Sequence, residues 1–353
     1  MQDTKKGNFV AIDLFCGIGG LTHGLELSGI KVIAGVDTDP SCRYSYEANN
    51  NSQFIEKDIS KISGQELNDL YPKNSIKILV GCAPCQTFSQ HTLKNKNRIK
   101  DKRWGLLYQF LRLIKESNPD IVSMENVPQL RKYKVFHDFL IGLKEEGYFV
   151  YYKIVDCSKY GIPQRRRRLV LLASKKKTIK LISESKQIKD QANVKKAIGH
   201  LPKIKDGGVH KKDRLHRSWG LTLINKKRIK QSKQGGTWLD WDADLMLECH
   251  KKKGGATYKA VYGRMKWSQP APTITTQFYS YGTGRFGHPT QDRAISLREG
   301  ALLQTFPETY DFCPEEKNIS FQEIGRHIGN AVPVNLGKVI GESMKHSWSS
   351  KNG

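Results

Sequence analysis

Over the first 174 residues, apolar positions fall into short dense runs separated by amphipathic stretches. Phe9 to Phe15 (FVAIDLF) reads as a buried strand, Gly17-Ile18-Gly19-Gly20 as a turn, and Leu21 to Ser28 as an amphipathic helix ended by Gly29. A second strand is predicted over Lys31 to Val36, and a third over the segment that contains Phe54-Ile55-Glu56-Lys57. Further buried strands are predicted at 76–81, 119–124, 148–155 and 168–173, with helices at about 104–117 and 134–146. Strands alternating with helices imply a doubly wound parallel sheet.

That rhythm stops after Ser174. From Lys175 to about Thr290 the chain carries KKK runs at 175–177 and 251–253 and glycine pairs at 207–208, 235–236 and 254–255. This pattern predicts a separate, smaller, loop-rich domain without the periodicity to build much core. Helical periodicity returns at 296–305 and after Val332.

Length and composition narrow the class. The 353 residues suit two domains, and mean hydropathy is −0.56. No run approaches the ~18 apolar residues of a membrane span, and the N-terminus lacks a signal-peptide layout. The expectation is a cytoplasmic protein without a membrane partner. Seven cysteines are an odd count at low density, which fits a reduced compartment and no disulfide framework. Charge changes the picture most. Lysine and arginine number 59 against 34 acidic residues, a net +25. So basic a chain repels itself unless a polyanion neutralises it, and nucleic acid is the natural partner. A lysine-rich solvated surface is the plainer alternative.

Residues 13–20 (DLFCGIGG) followed by Asp37 resemble a dinucleotide fingerprint, with the acid placed to bind a ribose. Thr22 occupies the position of the third glycine, so a pyrophosphate fits poorly and a nicotinamide oxidoreductase is disfavoured. A nucleoside without phosphates still fits, and S-adenosylmethionine is such a ligand. A glycine turn that merely joins strand to helix is the structural alternative. Asp58 could accept from an adenine amino group or cap a turn, and Phe15 could pack on adenine or in the core.

The segment GCAPCQTFS (81–89) follows a buried strand, which places Cys85 at the carboxyl edge of the sheet. Pro84 stiffens the approach. Cys82 and Cys85 form a C-x-x-C pair, but with no second pair, and only a lone His91 nearby, two of four zinc ligands are missing. No metal is expected. A thioredoxin-like redox pair would leave Glu125 and the arginines at 165–168 without a role. Met124-Glu125-Asn126-Val127-Pro128 ends another strand and brings a carboxylate to the same edge. Gln164 and Arg165 to Arg168 lead into LVLLA, and strand alternation would point Arg166 and Arg168 together, opposite Arg165 and Arg167.

Taken in order, these motifs resemble the DNA (cytosine-5)-methyltransferase family from residue 13 to about 337. DLFCGIGG is similar to its cofactor loop, APCQTFS to its Pro-Cys nucleophile loop, ENV to its glutamate motif and QRRRR to its Gln-x-Arg-x-Arg motif. Arg298-Glu299 with LLQTFP (302–307) and Gly329-Asn330-Ala331-Val332-Pro333 are similar to its later motifs. Two departures stand out: Cys82 and Ala83 precede Pro84 where a glycine and a bulkier residue are common, and Thr38 replaces a frequent aromatic.

The resemblance implies a doubly wound, mostly parallel Rossmann-like methyltransferase sheet with a second, smaller, loop-rich recognition domain. The catalytic domain would comprise 1–174 plus 322–353, and the recognition domain 175–321, with its variable segment at about 175–290. It implies Cys85, Glu125, Arg166 and Arg168 as catalytic residues. It implies S-adenosylmethionine as cofactor, held by Asp13, Phe15, Gly17, Gly19, Gly20, Leu21, Asp37, Thr38, Asp58, Ile59, Pro84, Asn330 and Val332. Gln86, Ser89, Asn126, Gln164 and Thr275 would contact the substrate. The implied partner is double-stranded DNA, methylated at a flipped-out cytosine. The implied setting is a monomer associated with the nucleoid, working beside a restriction nuclease or other defence proteins. A tRNA-methylating branch and a non-catalytic nucleic-acid-binding protein on the same scaffold are the alternatives; the roughly 115 residues at 175–290 favour groove-reading in DNA.

A protein of charge +25 that neutralises about six phosphates should lose duplex affinity with a log–log salt slope near −5. Titration at several salt concentrations measures that slope, and a flat response would detach the charge from any nucleic-acid backbone.

Overall fold

The computed structural model describes residues 7–84, 105–184, 192–252 and 260–350; Cys85, Gln86 and Ser89 lie outside them. The strands are β1 (Phe9–Leu14), β2 (Lys31–Asp37), β3 (Gln53–Glu56), β4 (Ile76–Gly81), β5 (Ile121–Asn126), β6 (Phe149–Asp156) and β7 (Arg167–Ser174). The helices used below are α1 (Gly20–Leu27), α2 (Arg43–Asn49), α3 (Gly64–Leu70), α4 (Gly105–Ser117), α5 (Lys134–Glu145), α6 (Val194–Ile198), α7 (Leu223–Gln231), α8 (Glu248–Lys251), α9 (Leu297–Leu303), α10 (Phe321–Asn330) and α11 (Val334–Ser349).

The chain divides into two compact units. Unit 1 holds Met1–Asp156, Arg167–Glu184 and Val332–Gly353, and unit 2 holds Cys157–Arg166 and Ser185–Ala331. Relative to the expected limits, 175–184 falls with unit 1, while 157–166 and 322–331 fall with unit 2.

Unit 1 is an α/β layer built on a seven-stranded sheet of order β3-β2-β1-β4-β5-β7-β6. Its first five strands pair in parallel, whereas β7 runs antiparallel to both β5 and β6. The sheet is thus the mostly parallel one expected, with β7 as its antiparallel member. A parallel return needs a crossover of a dozen or so residues, commonly a helix. The ten residues between Asp156 and Arg167 hold only a short 3-10 turn, Cys157–Tyr160. Central strands are apolar on both faces: β1, β4 and β7 bury Ile12, Leu14, Leu79 and Leu171, against Phe110 and Leu113 of α4 and Phe136 and Phe139 of α5. Burial on both faces is why they read as continuous apolar runs and not as alternation.

Unit 2 has more interior than its sequence pattern predicts. Ile229, Trp238, Trp241, Leu245, Tyr281 and Ala294 form a core cluster, with the Trp238 and His250 rings stacked at 4.3 Å between centroids. Further apolar side chains such as Phe278, Phe286 and Phe306 are buried there, and arginines add to the interior. Buried Arg264 donates from Nε and Nη2 to the Ile229 carbonyl and from Nη1 to those of His288 (2.9 Å) and Gln291 (2.6 Å). Arg293 grips Glu299 through two bonds of 2.7 Å. Burial alone would raise the Glu299 carboxyl, but the Arg293 bonds hold it down to about 2. Loop carbonyls taken out of water need donors, and these guanidiniums provide them. Such contacts are long-range and leave no periodic trace.

The chain's end is tied to its beginning inside unit 1. A Cβ on Gly24 of α1 would lie 2.2 Å from the Val334 carbonyl of α11, and one on Gly337 would lie 2.9 Å from the Leu21 carbonyl. Only glycine permits that approach. Alanine ordinarily favours a helix interior by about 1 kcal/mol. Here Gly24→Ala should instead destabilise by about 1–3 kcal/mol, as overpacking does. The shift of the denaturation midpoint decides between the two signs.

Candidate active site

The carboxyl ends of β1 and β2 carry the first set of functional side chains. After Leu14 the backbone turns through left-handed conformations at Phe15 (φ 60), Gly17 (φ 51) and Gly19 (φ 85), and Gly19 precedes α1 without a side-chain cap. Asp37, ending β2, fixes this turn: Oδ2 accepts from Gly17 N at 2.9 Å and Oδ1 from Asp39 N at 3.0 Å. Burial raises the Asp37 carboxyl, and those amide bonds oppose the rise. Asp13 is 1% exposed. Its Oδ2 accepts from Thr22 Oγ1 at 2.8 Å, while Oδ1 has no hydrogen-bond partner among the described residues. Burial lifts its carboxyl from 3.8 to about 7, against the pull of the Thr22 hydroxyl.

Thr22 therefore does more than interrupt a glycine pattern. Its oxygen lies 3.2 Å from Tyr46 Oη, which is in turn 2.7 Å from Ser52 Oγ. Tyr46 reaches that point because Gly35 lacks a Cβ, which would lie 2.4 Å from the tyrosine ring. The sequence held a signal for Thr22, at the anomalous third position, but none for Tyr46, which arrives from α2 through packing. Of the remaining expected cofactor residues, Gly20 and Leu21 open α1 and are buried. Ile59 is buried and Thr38 exposed. Asp58 caps a short 3-10 turn, accepting from Ser60 N at 2.9 Å. Pro84 is exposed after β4, Val332 is buried in unit 1, and Asn330 ends α10, exposed, in unit 2.

A second set gathers at the ends of β4, β5 and β7. Glu125 is 3% exposed. Cys82 Sγ donates to its Oε2 at 2.8 Å, and Arg168 Nε lies 2.8 Å from its Oε1. The Arg168 contact is an ion pair by distance but not a hydrogen bond by angle, so Oε1 is held by charge and not by a directed donor. Asn126 donates from Nδ2 to the Ala83 carbonyl at 3.2 Å and accepts Val127 N on Oδ1 at 2.8 Å. It thus ties β5 to the loop that leads to Cys85.

Arg166 and Arg168 do not share a target. Strand β7 begins at Arg167, so alternation has no hold on Arg166. Arg166, 3% exposed, donates to the carbonyls of Ile274 and Ala331, both at 3.2 Å, within unit 2. Gln164 is fully buried there. Its Nε2 donates to Gln304 Oε1 (2.7 Å) and the Leu303 carbonyl (3.2 Å), and its Oε1 accepts from Ile274 N (2.8 Å) and Arg166 Nη1 (3.5 Å). Every hydrogen-bonding position of that amide is occupied by protein. Thr275 is exposed in the same unit.

A glycine turn at the switch point of a doubly wound sheet, with a buried carboxylate–guanidinium pair on the neighbouring strand ends, is a Rossmann-like arrangement. The model of the C-5 cytosine-specific DNA methylase family matches residues 9–346. The chain is 55% identical over 337 residues to the Type II methylase M.HgiDII of Herpetosiphon aurantiacus, covering 95% of this chain and 94% of that one. It is 32% identical to the Type II methyltransferase M1.BsuMI of Bacillus subtilis strain 168, covering 93% and 78%. The solved structure of the Entamoeba histolytica methyltransferase EhMeth shares the fold at TM-score 0.67 and 16% identity, covering 98% of this chain and 100% of that one. The chain belongs to the C-5 cytosine-specific DNA methylase family and is a DNA cytosine-5 methyltransferase. Among the described residues no helix is long and apolar enough to cross a membrane.

Asp13 gives a pH signature with a definite sign. Its folded value, about 7, lies above the ordinary 3.8. The unfolded chain therefore ionises first as pH rises, and the stability this residue contributes below pH ~4 is lost progressively up to pH ~7. Asp13→Asn should flatten that part of the stability–pH curve relative to the parent, measured by denaturant unfolding across the range. Identical slopes in the two proteins would contradict the assignment.

Proposed function

We propose that this methyltransferase moves a methyl group from S-adenosylmethionine to C5 of a flipped-out cytosine in a specific double-stranded DNA sequence, with Cys85 as nucleophile. The observation that carries the reading is Glu125, buried at the sheet edge, paired with Arg168 and joined through Asn126 to the loop before Cys85.

The cofactor fits the residues present. Asp13 Oδ1 is a buried acceptor lacking a partner among the described residues, which suits an ammonium group. A Cβ on Gly17 would meet nothing within 4 Å, so there is open space at the turn. Asp37 retains acceptor capacity for ribose hydroxyls. Phe15, Thr38, Asp58 and Ile59 would line the adenine side, with Thr38 a smaller cover than an aromatic. Gly19, Gly20, Leu21, Pro84, Asn330 and Val332 complete the proposed set. When bound, S-adenosylmethionine supplies an electrophilic methyl carbon.

Cytosine C5 is a weak nucleophile. A Cys85 thiolate forming a bond to C6 pushes the ring electrons toward C5 as an enamine. Glu125, sharing a proton with N3 and accepting from N4, offsets the charge that develops there, while Arg168 faces O2. After transfer the C5 proton leaves and the Cys85–C6 bond breaks, restoring both thiolate and aromatic ring. Attack comes perpendicular to the ring, so the base must leave the stack. Gln86, Ser89, Asn126 and Thr275 are the proposed substrate contacts. Arg166 and Gln164 act by holding unit 2 together.

Sequence recognition is assigned to 175–290. There Lys226, Lys227 and Lys230 are exposed on α7, while Arg228 on its buried side donates to the Leu245 carbonyl and covers the Trp241 ring. Such lysines position phosphates, and loops read base edges. The Type II names of the relatives support a role in host modification beside a restriction nuclease. A cytoplasmic, nucleoid-associated monomer completes the reading.

Cys85→Ala should abolish methyl transfer and leave cofactor affinity within a few fold. Glu125→Gln should lower the chemical rate far more than it weakens DNA binding. Single-turnover methylation beside equilibrium binding separates these effects. Full activity without the thiol, or equal losses of rate and binding at Glu125, would remove the respective role.

A further inference from the structure

We propose that Cys82 is a positioning residue for Glu125, so that the two cysteines of the C-x-x-C pair have different tasks in one reaction. The proposal deepens the reading of Glu125 as the group facing the cytosine N3 edge and rests on it.

Three observations place Cys82. Gly81, the last residue of β4, is in register with Met124 of β5, so Cys82, just past β4, lies beside Glu125, which is still within β5 and pairs with Val170 of β7. The Cys82 backbone is anchored by its N–H to the Leu14 carbonyl (3.3 Å), and the following residue by Asn126 to the Ala83 carbonyl (3.2 Å). From that fixed backbone the half-buried thiol donates to Glu125 Oε2 at 2.8 Å.

Glu125 is thereby held at both oxygens, by Arg168 at Oε1 and by Cys82 at Oε2. Among the described residues these are the hydrogen-bonding and charged side chains recorded against it. A carboxylate oxygen has two lone-pair directions, so one direction on each oxygen remains for the edge of the base. The guanidinium contact is an ion pair at 2.8 Å without hydrogen-bond alignment, so it anchors Oε1 by charge. The thiol adds the directed hydrogen bond at the other oxygen. A glycine at 82 could not do this.

The test compares Cys82→Ala with Cys82→Ser in steady-state and single-turnover methylation of duplex DNA carrying the chain's own target site, once mapped by methylation-aware sequencing. A hydrogen bond from a weak donor such as a thiol is worth roughly a three- to tenfold rate effect. Cys82→Ala should lose about that in kcat with KM for DNA unchanged, and Cys82→Ser, which keeps a donor, should recover to within about twofold. In infrared spectra, the S–H stretching band isolated by subtracting Cys82→Ala from the parent should move when Glu125 is changed to Gln. A parental kcat in Cys82→Ala, a Cys82→Ser no better than Cys82→Ala, or an S–H band indifferent to Glu125→Gln would each overturn the proposal. Full kcat in Glu125→Gln would instead overturn the chemistry assigned to Glu125 itself, and the positioning role with it. The infrared band reports the contact independently of either rate.

Discussion

The pairing of β1 with β4 is the constraint on which the rest depends. The two strands are joined in parallel register from Phe9↔Ile76 to Leu14↔Gly81. They sit where the sheet order reverses, with β2 and β3 built outward on one side and β5, β7 and β6 on the other. Crossover helices leave such a junction in opposite directions and open a crevice at the carboxyl ends. The turn at Phe15–Gly19 and the loop from Cys82 toward Cys85 are neighbours because Leu14 and Gly81 are. A register slip of one residue would reverse the facing of Asp13 and separate the two loops. The close α1–α11 packing through Gly24 and Gly337 then steadies the turn from behind.

Two buried carboxylates in unit 1 show how differently one functional group can be prepared. Asp13 has a hydroxyl at one oxygen and, among the described residues, no cation beside it, and burial carries its carboxyl up to about 7. Glu125, equally enclosed, has the Arg168 guanidinium at one oxygen and the Cys82 thiol at the other. The first environment suits the capture of a cationic ligand group, whose arrival would lower the cost of ionising Asp13. The second holds a carboxylate at a fixed orientation.

The net charge of +25 does not translate into twenty-five cations facing a polyanion. Arg166, Arg228, Arg264 and Arg293 are almost wholly buried, and their donors satisfy loop carbonyls and Glu299 within unit 2. What remains for phosphates is largely lysine, on exposed positions such as those of α7. The division is physically apt. A planar guanidinium can satisfy several carbonyls without losing its charge, whereas the ammonium is strongly hydrated and stays in water.

The sequence by itself determined the strands and what stands at several of their carboxyl ends, because buried parallel strands are dense local runs and the glycine turn, Glu125 and Asp37 lie at their ends, where local pattern predicts an edge. It also gave Asp58 two readings, and the turn cap is visible in the structure at Ser60 N. Only the tertiary structure decided the reversal of β7, the separate partners of Arg166 and Arg168, the contact of Cys82 with Glu125, and the core of unit 2. Apart from the β7 reversal, which follows from a short connection, these depend on partners brought together from distant parts of the chain, as do Arg166 with Ala331, Gln164 with Gln304 and Thr22 with Tyr46. Local periodicity records which face of an element is buried. It carries no record of what that face is buried against, and it is the partner that sets the direction of a guanidinium or the charge of a carboxyl.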